Sequence, residues 1–395
     1  MRILILGPWA IIHARHGGQI RAASIVEAYR ARGHDVMFIG IFDPGNVPPA
    51  DTGPHDIAID DTVMTYIAQS GQPWEVSLWR AFAEVPALLA RFEAAVYRFR
   101  PDVVQFEEPY LWPVVRTLRE RGLLRSARVV HSSYNFESEY RRDLAKIAGN
   151  ANSRVLAEVA LQEKQIARES DLVITVSDAD AASFRRIGAR HVVVAQNGCR
   201  RVEPTQAALA AVDAYLADAS FALFVSSAHP PNARGLLDLA DGAQDGLPGL
   251  LIICGAVHKL LAASRTAHRL IRDARMLGMV DMPILDALLA RCSVILLPKT
   301  CGGGSNLKTS EALLANRPVV ATSLAFVGFE AWRDQPGVVI ADEPALFWHM
   351  AARQLSSPRP LAVPQGHDRR DDLLWPTCLA PMVASVEALA AATER

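Results

Sequence analysis

Two doubly wound, Rossmann-like α/β domains are the fold that this 395-residue chain predicts. Three observations point there. Short, nearly all-apolar runs alternate with amphipathic stretches, the pattern of parallel strands covered on both faces by helices. The alternation runs through once and then starts again near residue 221. The length also suits two domains of roughly 150 residues or somewhat more.

The first strand series reads RILIL (2–6), DVMFI (35–39), DVVQF (102–106), RVV (128–130), DLVITV (171–176) and HVVVA (191–195). Between the first two, Ala22, Ile25, Val26 and Tyr29 recur at helical spacing and mark one face of a helix. The second series reads FALFVSS (221–227), GLLIICG (249–255), MLGMV (276–280), SVILLP (293–298), PVVAT (318–322) and VVIA (338–341). The link between the series is expected near 199–218. Residues 356–376 read as a long surface connection, and Pro381 to Arg395 as a helix.

Composition narrows the function. Half of the residues are hydrophobic and 21% are charged, so the chain can bury sizeable cores. Lys+Arg 41 against Asp+Glu 42 leaves a net charge of -1, which argues against a nucleic-acid partner. Five scattered cysteines, none at metal-ligand spacing, read as reduced thiols. Gly7-Pro8 interrupts the N-terminal apolar run, which therefore reads as a buried strand and not a signal peptide; a cytoplasmic protein is the expectation.

Two glycine-rich segments carry the candidate chemistry. Gly17-Gly18 opens a helix, where unpaired N–H groups favour an anion. The dinucleotide pattern G-x-G-x-x-G is absent there, which speaks against an NAD enzyme. The second segment, Cys301-Gly302-Gly303-Gly304-Ser305-Asn306-Leu307-Lys308-Thr309-Ser310-Glu311, follows a strand and enters a helix. Its glycines and helix start form an anion cradle. Lys308 suits a diphosphate, and Glu311, three residues on and on the same face, suits ribose hydroxyls. Asp178-Ala179-Asp180 follows Ser177 at a helix start, so capping explains it and a metal does not. His131 at a strand end, and Glu107-Glu108 at another, are further polar candidates, because ligands of open α/β sheets bind at such ends.

The run GGGSNLKTSEALLANRPVVAT (302–322) resembles the donor-binding segment of retaining family-four glycosyltransferases of the GT-B fold. The Gly-Gly loop leading to Arg-Gly-His-Asp-Val (32–36), the stretch SDLVITVSDADAASFRRIGARHVVVAQNG (170–198) and His229-Pro230-Pro231-Asn232 through Gly235 are similar too. The resemblance implies two Rossmann-like domains facing a central cleft. Residues 1–200 would bind the acceptor, 201–378 would bind the nucleotide-sugar donor, and 379–395 would form a C-terminal helix crossing back to the N-terminal domain.

Carried over position by position, Glu311 would bind the donor ribose. Lys308 and Arg234 would lie near the diphosphate, with Gly17, Gly18, Gly303, Gly304, Ser305, Asn306 and Leu307 around the donor. His131 matches a histidine beside the reacting sugar. Ser133-Tyr134-Asn135-Phe136-Glu137 resembles a variant in which Tyr134 takes that place, so the catalytic position falls to His131 or to the Tyr134–Glu137 group. Tyr134, Asn135, Glu137 and Glu107 are the expected acceptor or sugar contacts. Two family positions differ: Gly303 stands where a second Glu is usual, and Ala228 where an Arg is usual.

The implied function is retaining, metal-independent transfer of a sugar from a nucleotide-sugar to a glycan or lipid-linked glycan. No cofactor and no metal are expected. The helices read over Val85–Arg100 and Phe136–Ile147 carry Arg91, Arg98, Arg100, Arg141, Arg142 and Lys146, which suit peripheral contact with an anionic inner-membrane face. A sugar-nucleotide 2-epimerase and a non-catalytic sugar-nucleotide-binding partner are the alternatives.

Overall fold

The computed structural model describes all residues except 149–151, 218, 244–245, 263–267, 303–304, 357–368 and 393–395. The chain divides into two units, Met1–Gln196 with Cys378–Arg395, and Asn197–Thr377.

In the first unit the order is β1 (Arg2–Gly7), α1 (Gly17–Ala31), β2 (Asp35–Phe42), β3 (Ile57–Ala58), α2 (Asp61–Ser70), α3 (Trp74–Glu84), α4 (Pro86–Phe99), β4 (Val103–Glu107), α5 (Trp112–Glu120), β5 (Arg128–Ser132), α6 (Glu137–Ala148), α7 (Ser153–Glu169), β6 (Leu172–Thr175), α8 (Asp178–Arg186) and β7 (Val192–Val194). The second unit continues with α9 (Gln206–Leu216), β8 (Phe221–Val225), α10 (Pro230–Ala240), β9 (Leu250–Cys254), α11 (His258–Leu261), α12 (Arg269–Asp273), β10 (Arg275–Gly278), α13 (Met282–Arg291), β11 (Val294–Leu297), α14 (Leu307–Leu314), β12 (Val319–Ala321), β13 (Val338–Ile340) and α15 (Pro344–Ser356). A last helix, α16 (Trp375–Ala391), closes the described chain.

Each unit holds one parallel sheet, ordered β3-β2-β1-β4-β5-β6-β7 in the first and β10-β9-β8-β11-β12-β13 in the second. Both wind outward from their first strand and then return to its other side. That leaves a switch point between β1 and β4 and another between β8 and β11, the place where open sheets of this kind take their ligands, beyond the strands' C-terminal ends. The apolar strands have a simple cause. Phe221 and Leu223 of β8 join one core layer, while Ala222 and Phe224 join the layer on the opposite face. Because side chains alternate and both faces are covered, such a strand is apolar along its length, and β4 and β5 depart from this at Gln105, Glu107 and His131.

Two expectations shift. The link expected near 199–218 falls slightly earlier, at Gln196/Asn197, and Cys199 is already tied into the second unit: its N–H donates to Leu373 O at 2.8 Å, and it pairs with Leu374 as a short bridge. The C-terminal helix begins at Trp375, ahead of Pro381, which lies inside it. The latter part of the supposed surface connection is thus a 3-10 turn (Arg370–Leu373) and the start of this helix, and 357–368 lie outside the described residues. Further along α16, Glu387 accepts from Arg32 at 3.1 Å and lies 3.1 Å from the His34 ring.

Candidate functional site

In the second unit, β8 runs into α10 and β11 into α14, so two helix starts flank the β8/β11 switch point. Their approach depends on Gly235. A Cβ built there would lie 1.9 Å from the Pro298 carbonyl oxygen, so only a residue without one lets α10 seat against the loop leaving β11. Asn306 caps α14, its side-chain oxygen accepting from the Lys308 N–H at 3.3 Å. The Thr309 hydroxyl donates to Ala325 O at 2.6 Å, and the Ser310 hydroxyl to Gly198 O at 3.3 Å. These anchors turn Thr309 and Ser310 inward. They leave Lys308 and Glu311 half-buried on the other face, paired at 2.9 Å.

The remaining donor-side residues fall around this pair. Arg234 is exposed and held by Asp238 at 2.5 Å, and Asp238 also accepts from the Thr300 hydroxyl at 2.6 Å. Burial, with Lys299 nearby, pushes the His229 imidazole at the head of α10 down, so it is neutral. The Ser305 hydroxyl is shielded from solvent with no hydrogen-bond partner among the described residues. Leu307 starts α14, and Gly303 and Gly304 lie outside the described residues.

Reading the sequence missed Arg200. It makes a two-pronged pair with Asp286 of α13 at 2.6 and 2.8 Å, and Asp286 is buried. A charged residue in a link and an Asp within an otherwise ordinary helix carry no signal of this pairing.

In the first unit, Gly17, Gly18, Tyr134 and Glu107 converge at the β1/β4 switch point. His16 caps α1 through its ring nitrogen, which burial keeps neutral and able to accept. Gly18 faces the Trp9 ring, where a Cβ would come within 2.4 Å, and Tyr134, within 3.2 Å. Tyr134 stacks on Trp9 with ring centres 6.2 Å apart, and the buried Arg21 guanidinium sits 5.9 Å from the Tyr134 ring. Glu107 is fully buried, accepts from Gln105 at 2.6 Å, and is pushed up by burial against the pull of the Gln105 hydrogen bond and Arg21.

Beside it stands a second cluster that the sequence does not reveal. Glu108 is buried with φ 71, a left-handed backbone rare outside glycine. Burial, then Glu137 and Glu107, hold its carboxyl well above the ordinary range. Glu137 accepts from Arg141 at 2.9 Å and from the Tyr110 hydroxyl. Glu163 of α7 receives the Glu137 and Ser138 N–H groups at 2.6 and 3.3 Å and so caps α6. Asn135 lies beside Glu137, and its carbonyl accepts from the Ser133 hydroxyl.

Three sequence readings change here or gain a cause. His131 does not sit at an open strand end. It lies within β5, fully buried between Phe106 at 4.7 Å and Phe184 at 5.7 Å, and burial pushes it down to about 3. Arg141 is turned inward on Glu137 and the Tyr110 ring and is not a free surface cation. Asp180 takes the Ser177 hydroxyl at 2.6 Å and the Phe136 N–H at 3.0 Å, so the D-x-D run is the first turn of α8, with Ser177 as the cap and Asp180 as its partner. Among the described residues no helix is long and apolar enough to cross a membrane, and no three His, Cys, Asp or Glu side chains group as a metal site.

Residues 16–198 match the glycosyl transferase 4-like domain family. Solved structures similar over the whole chain include sucrose-phosphate synthase from Thermosynechococcus elongatus, at 19% identity and TM-score 0.73, covering 99% of this chain and 100% of that one. Anabaena HepE in complex with UDP is similar at 14% identity and TM-score 0.62, covering 99% and 98%. The catalytic domain of starch synthase IV from Arabidopsis thaliana, bound to ADP and acarbose, is similar at 11% identity and TM-score 0.66, covering 99% of both chains. No curated protein matches the chain in sequence.

Proposed function

We propose that this chain, a glycosyltransferase of the GT-B fold whose residues 16–198 belong to the glycosyl transferase 4-like family, moves a sugar from a nucleotide-sugar to a hydroxyl of a glycan or lipid-linked glycan, retaining anomeric configuration and needing no metal. One observation carries the donor reading: the starts of α10 and α14 flank the β8/β11 switch point, with Lys308 and Glu311 on the first turn and a half of α14. Helix N-termini and a lysine suit a diphosphate, and a carboxylate suits ribose hydroxyls. UDP-glucose bound to Anabaena HepE, a protein of the same fold, supports a nucleotide-sugar as the ligand.

On this reading Lys308 leaves Glu311 for the diphosphate when donor arrives, and Glu311 turns its oxygens to the ribose. Arg234 adds charge after releasing Asp238. These cations and the two helix starts stabilise the negative charge that develops on the departing diphosphate. A phosphate oxygen of the donor takes the acceptor proton. We assign Tyr134, Asn135, Glu137 and Glu107 to the acceptor or the transferred sugar; Tyr134 and Glu137 keep some exposure, whereas Glu107, like His131, has none. We further place the reaction in the cytoplasm. Contact with an anionic membrane would rest on Arg98, Arg100 and Arg142, and on Arg91 and Lys146 if they leave Asp60 and Asp143, since Arg141 is turned inward.

The test is calorimetric binding of the common nucleoside diphosphates with EDTA present, followed by product analysis with sugar nucleotides. One diphosphate should bind, and Lys308→Ala should weaken it at least about tenfold, the scale of one charge-assisted contact. No binding by any of them, or acceptor-free isomerisation of the sugar, would overturn the reading.

A further inference from the structure

We propose that the cavity between α1 and the outer edge of β2 is an acceptor subsite that takes an apolar aglycone, a ring or short chain. The inference rests on the transfer reading above and names a class of acceptor for it.

The cavity exists because β3 is short. Only Ile41 and Phe42 of β2 pair with it, at Ile57 and Ala58, so no strand covers the outer edge of β2 from Asp35 to Gly40. A space of about 250 Å³ lies along that edge. Val26 of α1 and Val36 and Phe38 of β2 line it, with Phe99 at the end of α4 and Ile11 and Ile12 from the loop that leaves β1. A dry cavity of about 150 Å³ holds a benzene-sized group, so this one has room for roughly ten carbons.

The polar groups along the edge are already engaged. An open strand edge presents N–H and C=O groups that need partners. Asp56 takes the Gly40 N–H at 2.6 Å with one oxygen and the Gly53 N–H at 2.7 Å with the other. Arg30 donates to Val36 O at 3.3 Å. Both side chains line the cavity, and both serve the protein's own backbone. What they leave for a ligand is an aliphatic and aromatic wall. A hydroxyl-rich sugar would lose water there without gaining partners, whereas an apolar group gains by leaving water.

The walls are braced before a ligand arrives. Arg15 of the β1–α1 loop pairs with Asp51 of the β2–β3 loop at 2.9 Å, and the His13 ring lies 3.6 Å from the same carboxylate. The cavity also reaches solvent: Ile12 is 52% exposed, and Arg30 and His55 are exposed beside it. A mere packing defect needs no large aliphatic side chain held half in water. Position links the cavity to transfer. Three residues ahead of Ile12 the same loop carries Trp9, which stacks on Tyr134. One loop thus touches both the cavity and a candidate acceptor contact.

The binding test needs no donor. Isoleucine-methyl NMR follows methyl, hexyl and octyl β-D-glucoside below micelle-forming concentrations, with Ile11→Val and Ile12→Val assigning the two signals. Hexyl and octyl glucoside should move the Ile11 and Ile12 methyls, and methyl glucoside should not. A buried methylene is worth about fourfold in affinity, so octyl should bind about fourfold tighter than hexyl with one of its two extra methylenes buried. Ile12→Asp changes an exposed site, should melt as the native protein does, and should weaken octyl binding about tenfold. Val36→Thr puts a hydroxyl into the wall at nearly the same size and should weaken it about fivefold or more. Affinity that ignores chain length overturns the inference. So do Ile11 and Ile12 signals that stay still, or native octyl binding in both variants.

Turnover then tests the acceptor role. With the donor the protein prefers and alkyl glycosides of the sugar it glycosylates, KM should fall about fourfold from hexyl to octyl at constant kcat, and Ile12→Asp should cancel that fall. A KM indifferent to chain length overturns the cavity's part in acceptor binding. Octyl binding by a protein that transfers no sugar to any acceptor instead overturns the transfer reading, and the acceptor role with it.

Discussion

Gly235→Ala sets two effects of opposite sign against each other, and the structure decides between them. In an ordinary helix interior the change stabilises by about 1 kcal/mol, because alanine loses less backbone freedom. Here the new Cβ would lie 1.9 Å from Pro298 O and 3.0 Å from its carbonyl carbon. A carbon and an oxygen need roughly 3.3 Å, so α10 or the Pro298 loop must give by about 1.4 Å. Both neighbours are backbone, and an overlap of about 1.4 Å puts the overpacking cost at about 2–3 kcal/mol, the upper end of the usual range. The clash should win, with a net loss of about 1–2 kcal/mol. In a unit of this size the melting temperature then falls by roughly 2–8 °C. The same displacement moves the head of α10 and Arg234 away from α14, so nucleoside diphosphate affinity should fall about tenfold or more. Scanning calorimetry and titration calorimetry read the two effects. A Gly235→Ala protein that melts at or above the native temperature would refute the close contact and the seating of α10 derived from it.

Three further outcomes follow from groups in the first unit. His131 keeps its imidazole neutral down to about 3 when folded, against 6.5 when free, so the unfolded chain binds the extra proton and stability falls as pH drops below 6.5. Between pH 7 and pH 4 that loss is about 3 kcal/mol, and His131→Phe should be less acid-sensitive by a similar amount in urea titrations. Glu163 is pushed up by burial to about 7, so between 4.5 and 7 the folded chain keeps a proton that the unfolded chain has released, and stability falls as pH rises across that window. Glu163→Gln should match the native protein near pH 4.5 and exceed it by up to about 3 kcal/mol at pH 8; equal pH profiles would contradict this. Arg141→Gln removes the partner of Glu137 and should destabilise by about 1–3 kcal/mol, whereas the exposed Arg142→Gln should stay within about 0.5 kcal/mol of native stability.

The candidate site was legible in the sequence where chemistry is local. Asn306, Lys308 and Glu311 lie within six residues, and helix spacing alone puts the last two on one face, where they pair. Gly17 and Gly18 open a helix as their position predicts. Long-range partners were not legible. Arg200 finds Asp286 across 86 residues, and Glu163 caps a helix that starts 26 residues earlier. Tyr134 and Trp9 meet only because β1, β4 and β5 are neighbours in the sheet.

By itself, then, the order of residues determined the two parallel sheets, since strands buried on both faces must be continuously apolar and helices between them must be amphipathic. It also determined where α1 and α14 begin, because the capping side chains of His16 and Asn306 act within their own helix's first turn. Only tertiary structure decided which polar groups are enclosed. His131 looks like a strand-end ligand in sequence and is walled in by Phe106 and Phe184; Arg141 looks like surface charge and is turned inward. Burial depends on what other segments place around a side chain. That is a property of the packed chain and of no single stretch of it.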